Sequence, residues 1–247
     1  MIHTKYTLKQ DKIDFRDLPY IPAKTSLADI VDLRKWASPV ENQMNLGSCT
    51  ANALVNDYEL LTNRDAPTHS VDLSRLFVYY NERVLEESVD VDSGATLRDS
   101  IKSVVEYGIC SEHLWPYNVD YFTVTPSTSS YADAKHRNIK EYFRVANLNG
   151  ILDALNHDHP ITVGILVYSD FDGLDQTNTI LTPPSADESP LGGHAVCLVG
   201  YDLSRKLVLA KNSYGPDWCM EGYFWMTFEY ITTQLMDAWI FNIDLIP

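Results

Sequence analysis

The chain has 247 residues, 45% hydrophobic and 21% charged, the proportions of an ordinary globular protein long enough to bury a core unaided. A formal net charge of −15 and the lack of any Lys/Arg cluster argue against nucleic acid or an anionic membrane as partner. Four cysteines (Cys49, Cys110, Cys197, Cys219) form no Cys-x-x-Cys pair and have no zinc-type histidine spacing beside them, which excludes a dense disulfide framework and predicts no metal site.

Residues 1–30 are polar and proline-marked and read as an extended arm. They lack the apolar core of a secretory signal, and no run of about eighteen apolar residues occurs anywhere in the chain. With the cysteine usage this leans towards a reducing compartment, the cytoplasm by default. Val31, Leu33 and Trp36 lead into a loop from Ala37 to Ser48. Ser48 is a suitable N-cap, and Ala51, Leu54, Val55, Tyr58 and Leu61 then recur at helical spacing. Further helices are predicted over Ser74–Glu86 and Thr96–Glu106, the latter stopped by Gly108. Residues 117–140, rich in Ser, Thr, Tyr and Pro, read as a long connection. Beyond it Ile161–Tyr168, Ala195–Tyr201, Leu207–Lys211 and Gly222–Phe228 have strand character, with one short helix over Ile151–Asn156. A helical half followed by a β half predicts an α+β protein with its site at the boundary.

Cys49 falls at a helix start, where unpaired backbone N–H groups and the positive end of the dipole favour a thiolate. Gln43, in the loop approaching that helix, has an amide suited to holding an oxyanion with the Cys49 N–H. His194 lies in Gly192-Gly193-His194-Ala195-Val196, where two glycines let another backbone approach. Asn212, in Lys211-Asn212-Ser213-Tyr214-Gly215, offers a carboxamide oxygen to orient an imidazole. Each residue alone has an ordinary structural reading; it is their order, Gln, Cys, His, Asn, that carries information.

With these landmarks the chain resembles the papain family of cysteine peptidases. Val31-Asp32-Leu33-Arg34 resembles its mature N-terminal strand, Pro39-Val40-Glu41-Asn42-Gln43 its oxyanion loop and Gly47-Ser48-Cys49 its nucleophile motif. Ser93-Gly94 resembles the small residues that bind substrate backbone, and Tyr107-Gly108-Ile109, Trp115-Pro116-Tyr117 and Gly222-Tyr223 resemble further landmarks. The resemblance implies a papain-like fold with a helical left lobe (about 37–120), a β-barrel right lobe (about 121–240) and a cleft between them, all within a domain spanning 31–247. It implies peptide-bond hydrolysis by Cys49, His194, Asn212 and Gln43, substrate contacts at Ser93, Gly94, Gly193, Ala195 and Tyr214, and a resting thiolate–imidazolium pair. A peptide or protein substrate is expected, with no cofactor and a monomeric state. Two alternatives keep the scaffold: a transpeptidase or amidase using the same thioester, and a catalytically silent peptide-binding protein.

Several positions depart from the family pattern. Leu46 stands where a disulfide-bonded cysteine is usual, Thr50 replaces an aromatic, and Tyr214 replaces the tryptophan that shields the His–Asn pair. These changes resemble a microbial branch without the usual disulfides. The arm is shorter than a usual propeptide and is expected to lie against the cleft or a lobe surface. The acidic run Glu86-Glu87-Ser88-Val89-Asp90-Val91-Asp92 reads as a solvated loop, and His157-Asp158-His159 as a turn.

Overall fold

The computed structural model describes residues 6–23, 25–68 and 71–244. The first long helix, α1 (Cys49–Asp65), is buried along nearly its whole length, not on one face only. Several of its polar side chains are buried with partners. Thr50 donates to Glu82 (2.6 Å), Asn52 donates to the Ser48 carbonyl (2.9 Å), and Glu59 accepts the Leu73 N–H (2.8 Å). α1 packs against α2 (Arg75–Leu85) and α3 (Leu97–Tyr107). Both of these are capped at their first turn, with Ser74 accepting from the Phe77 N–H and Thr96 from the Asp99 N–H. Gly108 closes α3 at φ 76°, with Ala134 O only 1.9 Å from where a Cβ would stand. Residues 117–140 are more than a connection. They carry α4 (Thr128–Ala134), capped by Ser127, and its Ala134 packs with Phe77 and Cys110, so the helical lobe continues to that point.

The second lobe is an eight-stranded sheet. Its strands are β1 (Ile30–Asp32), β2 (Ile139–Arg144), β3 (Ile161–Val167), β4 (Ile180–Leu181), β5 (Gly192–Asp202), β6 (Leu207–Lys211), β7 (Tyr223–Thr227) and β8 (Leu235–Ile243). The order is β2-β8-β3-β5-β6-β7-β4, with β1 added to β5; all pairs are antiparallel except β4 with β7. Helices α5 (Leu148–Asn156), α6 (Ser169–Asp172) and α7 (Phe228–Gln234) flank it. β3 and β5 are buried on both faces, which is why they read as continuous apolar runs without alternation. One apolar cluster fills this lobe around Val163, Val196, Leu209 and Phe224. A second lies among α1, α2 and α3 and takes in Ala195, Trp239 and Phe241 from the sheet.

The arm crosses both lobes. Thr7 bridges Gly193, Lys9 bridges Thr96, and Pro19 bridges Arg144. Asp11 then ties it down: its N–H donates to Asp237 (2.8 Å), and its carboxylate accepts from Trp239 Nε1 (2.8 Å) and the Arg98 N–H (3.1 Å). Asp17 takes two hydrogen bonds from Arg98, at 3.0 and 2.6 Å, and the Tyr20 hydroxyl donates to Asp153 (2.6 Å). All four cysteines are free and buried. Among the described residues no helix is long and apolar enough to cross a membrane, and no cluster of three metal-binding side chains occurs.

Candidate active site

The structure brings the sequence-predicted residues together at the lobe boundary. Cys49 is the first residue of α1 and is fully buried. Ser48 does not cap the helix with its side chain. Its hydroxyl is engaged by Tyr117 (2.6 Å) and by Asn52 (3.0 Å), which leaves the first amides of α1 free of a side-chain acceptor. The N–H groups of Ala195, Thr50 and Cys49 itself favour negative charge on the sulfur.

His194 sits on β5, and its Nε2 meets Asn212 Oδ1 at 2.8 Å, one residue past the end of β6. Its Nδ1 is buried with no hydrogen-bond partner among the described residues, so the ring keeps one nitrogen free for proton transfer. Tyr214 covers the pair, its ring centroid 5.2 Å from that of His194. Phe171 lies at 5.3 Å, and Trp218 packs behind Tyr214 at 5.5 Å. Tyrosine thus does the shielding at the position where the family usually has an indole.

Gln43 is held at both ends of its amide. Ser213 Oγ donates to Oε1 (2.5 Å) and Nε2 donates to the Leu46 carbonyl (2.9 Å), leaving one N–H uncommitted. Its backbone N–H donates to the Ser213 carbonyl (2.8 Å), and Gly215 N–H donates to Glu41 (2.9 Å), so the Gln43 loop and the Asn212 segment are laced together. The Tyr117 hydroxyl donates to the Gln43 carbonyl (3.0 Å), which gives the Trp115-Pro116-Tyr117 landmark a physical purpose. Buried Lys211 supports the same loop by donating to the carbonyls of Ser38 (2.8 Å) and Pro39 (3.0 Å).

The arm fills the groove beside these groups. Leu8 N–H donates to the Gly193 carbonyl and Lys9 N–H to the Ala95 carbonyl, both at 3.1 Å. A Cβ on Gly94 would stand 2.2 Å from Thr7 O, and one on Gly193 would stand 2.6 Å from Leu8 O; only glycine admits a second chain this close. Leu8 is buried against Gly164, and the Tyr6 ring stands edge-on to His194 with its hydroxyl bonded to Asp172. The Ser93 hydroxyl bonds Ser88 and the Gly94 carbonyl, both at 2.9 Å.

Under this cover burial works against the expected ion pair. Burial pushes the Cys49 thiol up to about 12, with Glu82 adding to the effect. Burial also pulls His194 down to about 4, only partly offset by Asn212. Both shifts favour a neutral thiol beside a neutral imidazole while water is excluded.

A family model described as papain family cysteine protease matches residues 27–239. The chain belongs to the papain family. Within the family it is 37% identical to an uncharacterised peptidase C1-like protein of Acanthamoeba polyphaga mimivirus, over 96% of this chain and 80% of that one. It is 34% identical to xylellain, a cysteine protease from Xylella fastidiosa, with a TM-score of 0.89 over 97% of this chain and 96% of that structure. Digestive procathepsin L 3 of Tenebrio molitor larval midgut shares the fold at 20% identity and a TM-score of 0.72, over 96% and 76% of the two chains. The protein is thus a cysteine-type peptidase of papain-like α+β fold, with viral and bacterial relatives as the departures from the usual motifs suggested.

Family membership does not account for the acidic run. Asp92, read as part of a solvated loop, accepts the Gly47 N–H (2.9 Å) and the Tyr79 hydroxyl, anchoring the nucleophile motif. Glu86 accepts the Thr96 N–H (2.8 Å) and pairs with Lys9. Nothing local in the sequence distinguishes these two acids from their neighbours; only the return of the chain at Gly47 and Thr96 gives them partners.

Proposed function

We propose that the protein hydrolyses peptide bonds through a thioester on Cys49 and that the full chain is latent. In this reading His194 takes the thiol proton as Cys49 Sγ bonds to the carbonyl carbon, then gives it to the amine as the C–N bond breaks. Water adds to the thioester, its proton passing to His194, and Cys49 leaves with a proton returned to it. Asn212 holds the ring, while the spare N–H of Gln43 and the Cys49 N–H receive the oxyanion. The observation that carries this reading is the 2.8 Å His194–Asn212 contact with Nδ1 left free, beside a cysteine at a helix start.

Latency follows from the arm. Its backbone occupies the Gly193 and Ala95 carbonyls beside the expected substrate contacts Gly94 and Gly193, and Leu8 occupies the adjacent apolar pocket. A substrate therefore competes with residues 6–9, and an aliphatic side chain suits the Leu8 pocket.

The test is hydrolysis of a fluorogenic peptide library by the full chain, by Leu8→Ala and by Leu8→Ala combined with Cys49→Ala, under reducing conditions. Turnover is expected to rise in Leu8→Ala and vanish with Cys49→Ala. A Leu8→Ala protein whose Cys49 alkylates readily but which cuts no peptide would refute hydrolysis; incubation with an amine acceptor would then show whether the thioester transfers elsewhere.

A further inference from the structure

The acid at the end of α2 touches the groove where the arm runs. Glu86 is the C-cap residue of α2, and its side chain is only 11% exposed. One carboxylate oxygen is fixed by the Thr96 N–H and the other by Lys9, whose own N–H is bonded to the Ala95 carbonyl. The carboxylate is therefore positioned by backbone on the groove wall, at the residue adjoining the one in the apolar pocket. Two fields there add to its charge: the negative end of the α2 dipole, and a protein of net charge −15.

Resting on the peptidase reading above, we infer that Glu86 is a specificity-determining residue that selects lysine or arginine in the substrate. The position is the one next to the apolar-pocket residue on the side away from Cys49. In a peptide whose acyl half lies along Gly94 and Ala95, this is the third residue before the cut. Lys9 of the arm is the chain's own occupant of this subsite. A substrate cation there meets a preplaced carboxylate with one oxygen already held, so little ordering is left to do on binding. A substrate carboxylate in the same place meets a like charge. Asp92, at the other end of the run, is instead committed to Gly47 and Tyr79.

The test uses acyl-X-Leu-Gly fluorogenic peptides with X as Lys, Gln or Glu, on the full chain carrying Leu8→Ala to loosen the arm. Glu86→Gln is compared in the same background, because glutamine keeps an acceptor for the Thr96 N–H while losing the charge. For Leu8→Ala, kcat/KM is expected to follow Lys over Gln over Glu, with roughly tenfold between Lys and Gln. In Glu86→Gln the Lys/Gln ratio is expected to fall towards one. Taking the ratio within each variant removes differences in the active fraction. Equal rates for all three peptides, or a lysine preference that survives Glu86→Gln, would overturn the inference while leaving the peptidase reading intact. No cleavage of any peptide by a protein whose Cys49 still alkylates would overturn both.

Discussion

Gln43 shows how little freedom a side chain at this site has. Ser213 fixes its oxygen and Leu46 takes one of its protons, so the other proton has a single direction in which to act. In the Leu8→Ala background, Gln43→Ala is expected to lower kcat by roughly 10²-fold with little change in KM, since one oxyanion donor is lost. Steady-state kinetics on a single peptide checks this. Cys49 offers a second test. With its thiol pushed up to about 12 it is protonated at neutral pH while covered, and the expected alkylation by iodoacetamide is slow at pH 7 in the full chain. Loosening the arm readmits water, lowers the cost of the thiolate and is expected to speed alkylation severalfold. An unchanged rate would mean that burial by the arm does not set the thiol's state. At this scale the gathering of Cys49, His194, Asn212 and Gln43 at the lobe boundary was legible only from the order and spacing of the four together, each being ordinary alone. Ser48 misled because its hydroxyl is captured by Tyr117, a partner far along the chain. Glu86 and Asp92 were hidden for the same reason.

In the proposed reading the arm is the element that governs access. One of its apolar contacts is Leu8 against Gly164, where a Cβ would stand 2.5 Å from the leucine methyl. Gly164→Ala is therefore expected to eject Leu8, raising Cys49 alkylation at least severalfold while lowering the preference for leucine peptides; overpacking of this kind typically costs about 1–3 kcal/mol. Alkylation and peptide kinetics on one preparation check both halves. The first three helices were legible from the spacing of their apolar residues and from the stop at Gly108. β8 was not. It lies between β2 and β3 in the sheet, yet it carries Asp237, which is buried with Arg144 and Asp11 as partners. A charge satisfied by an arm residue more than two hundred positions away breaks the apolar pattern that reveals β3 and β5. α4 was missed because a seven-residue helix of small and polar residues has too few apolar positions to show a period.

Across the whole molecule the buried acids set a pH dependence of stability. Burial raises Asp57 and Glu82 to about 8. A carboxyl whose folded pKa lies above its unfolded value keeps its proton on folding, so stability falls as pH rises from the unfolded value towards the folded one. Between pH 6.5 and 8.5 the unfolded chain has already lost these protons, and each group removes up to roughly 1 kcal/mol per pH unit. The thermal midpoint is expected to fall across that window, less steeply in Glu82→Gln; calorimetry at the two pH values would show a flat midpoint if the acids ionise freely. The lacing of Glu41, Asn42 and Gln43 to Ser213, Tyr214 and Gly215 has a kinetic consequence. These links join the segment entering α1 to the segment between β6 and β7, so spreading the lobes would dismantle the oxyanion position and the histidine's support together. In the latent reading, access therefore comes from releasing the arm, not from parting the lobes. Release is a unimolecular event that precedes capture, so progress curves of the full chain at saturating peptide should begin with a lag whose length does not depend on peptide concentration.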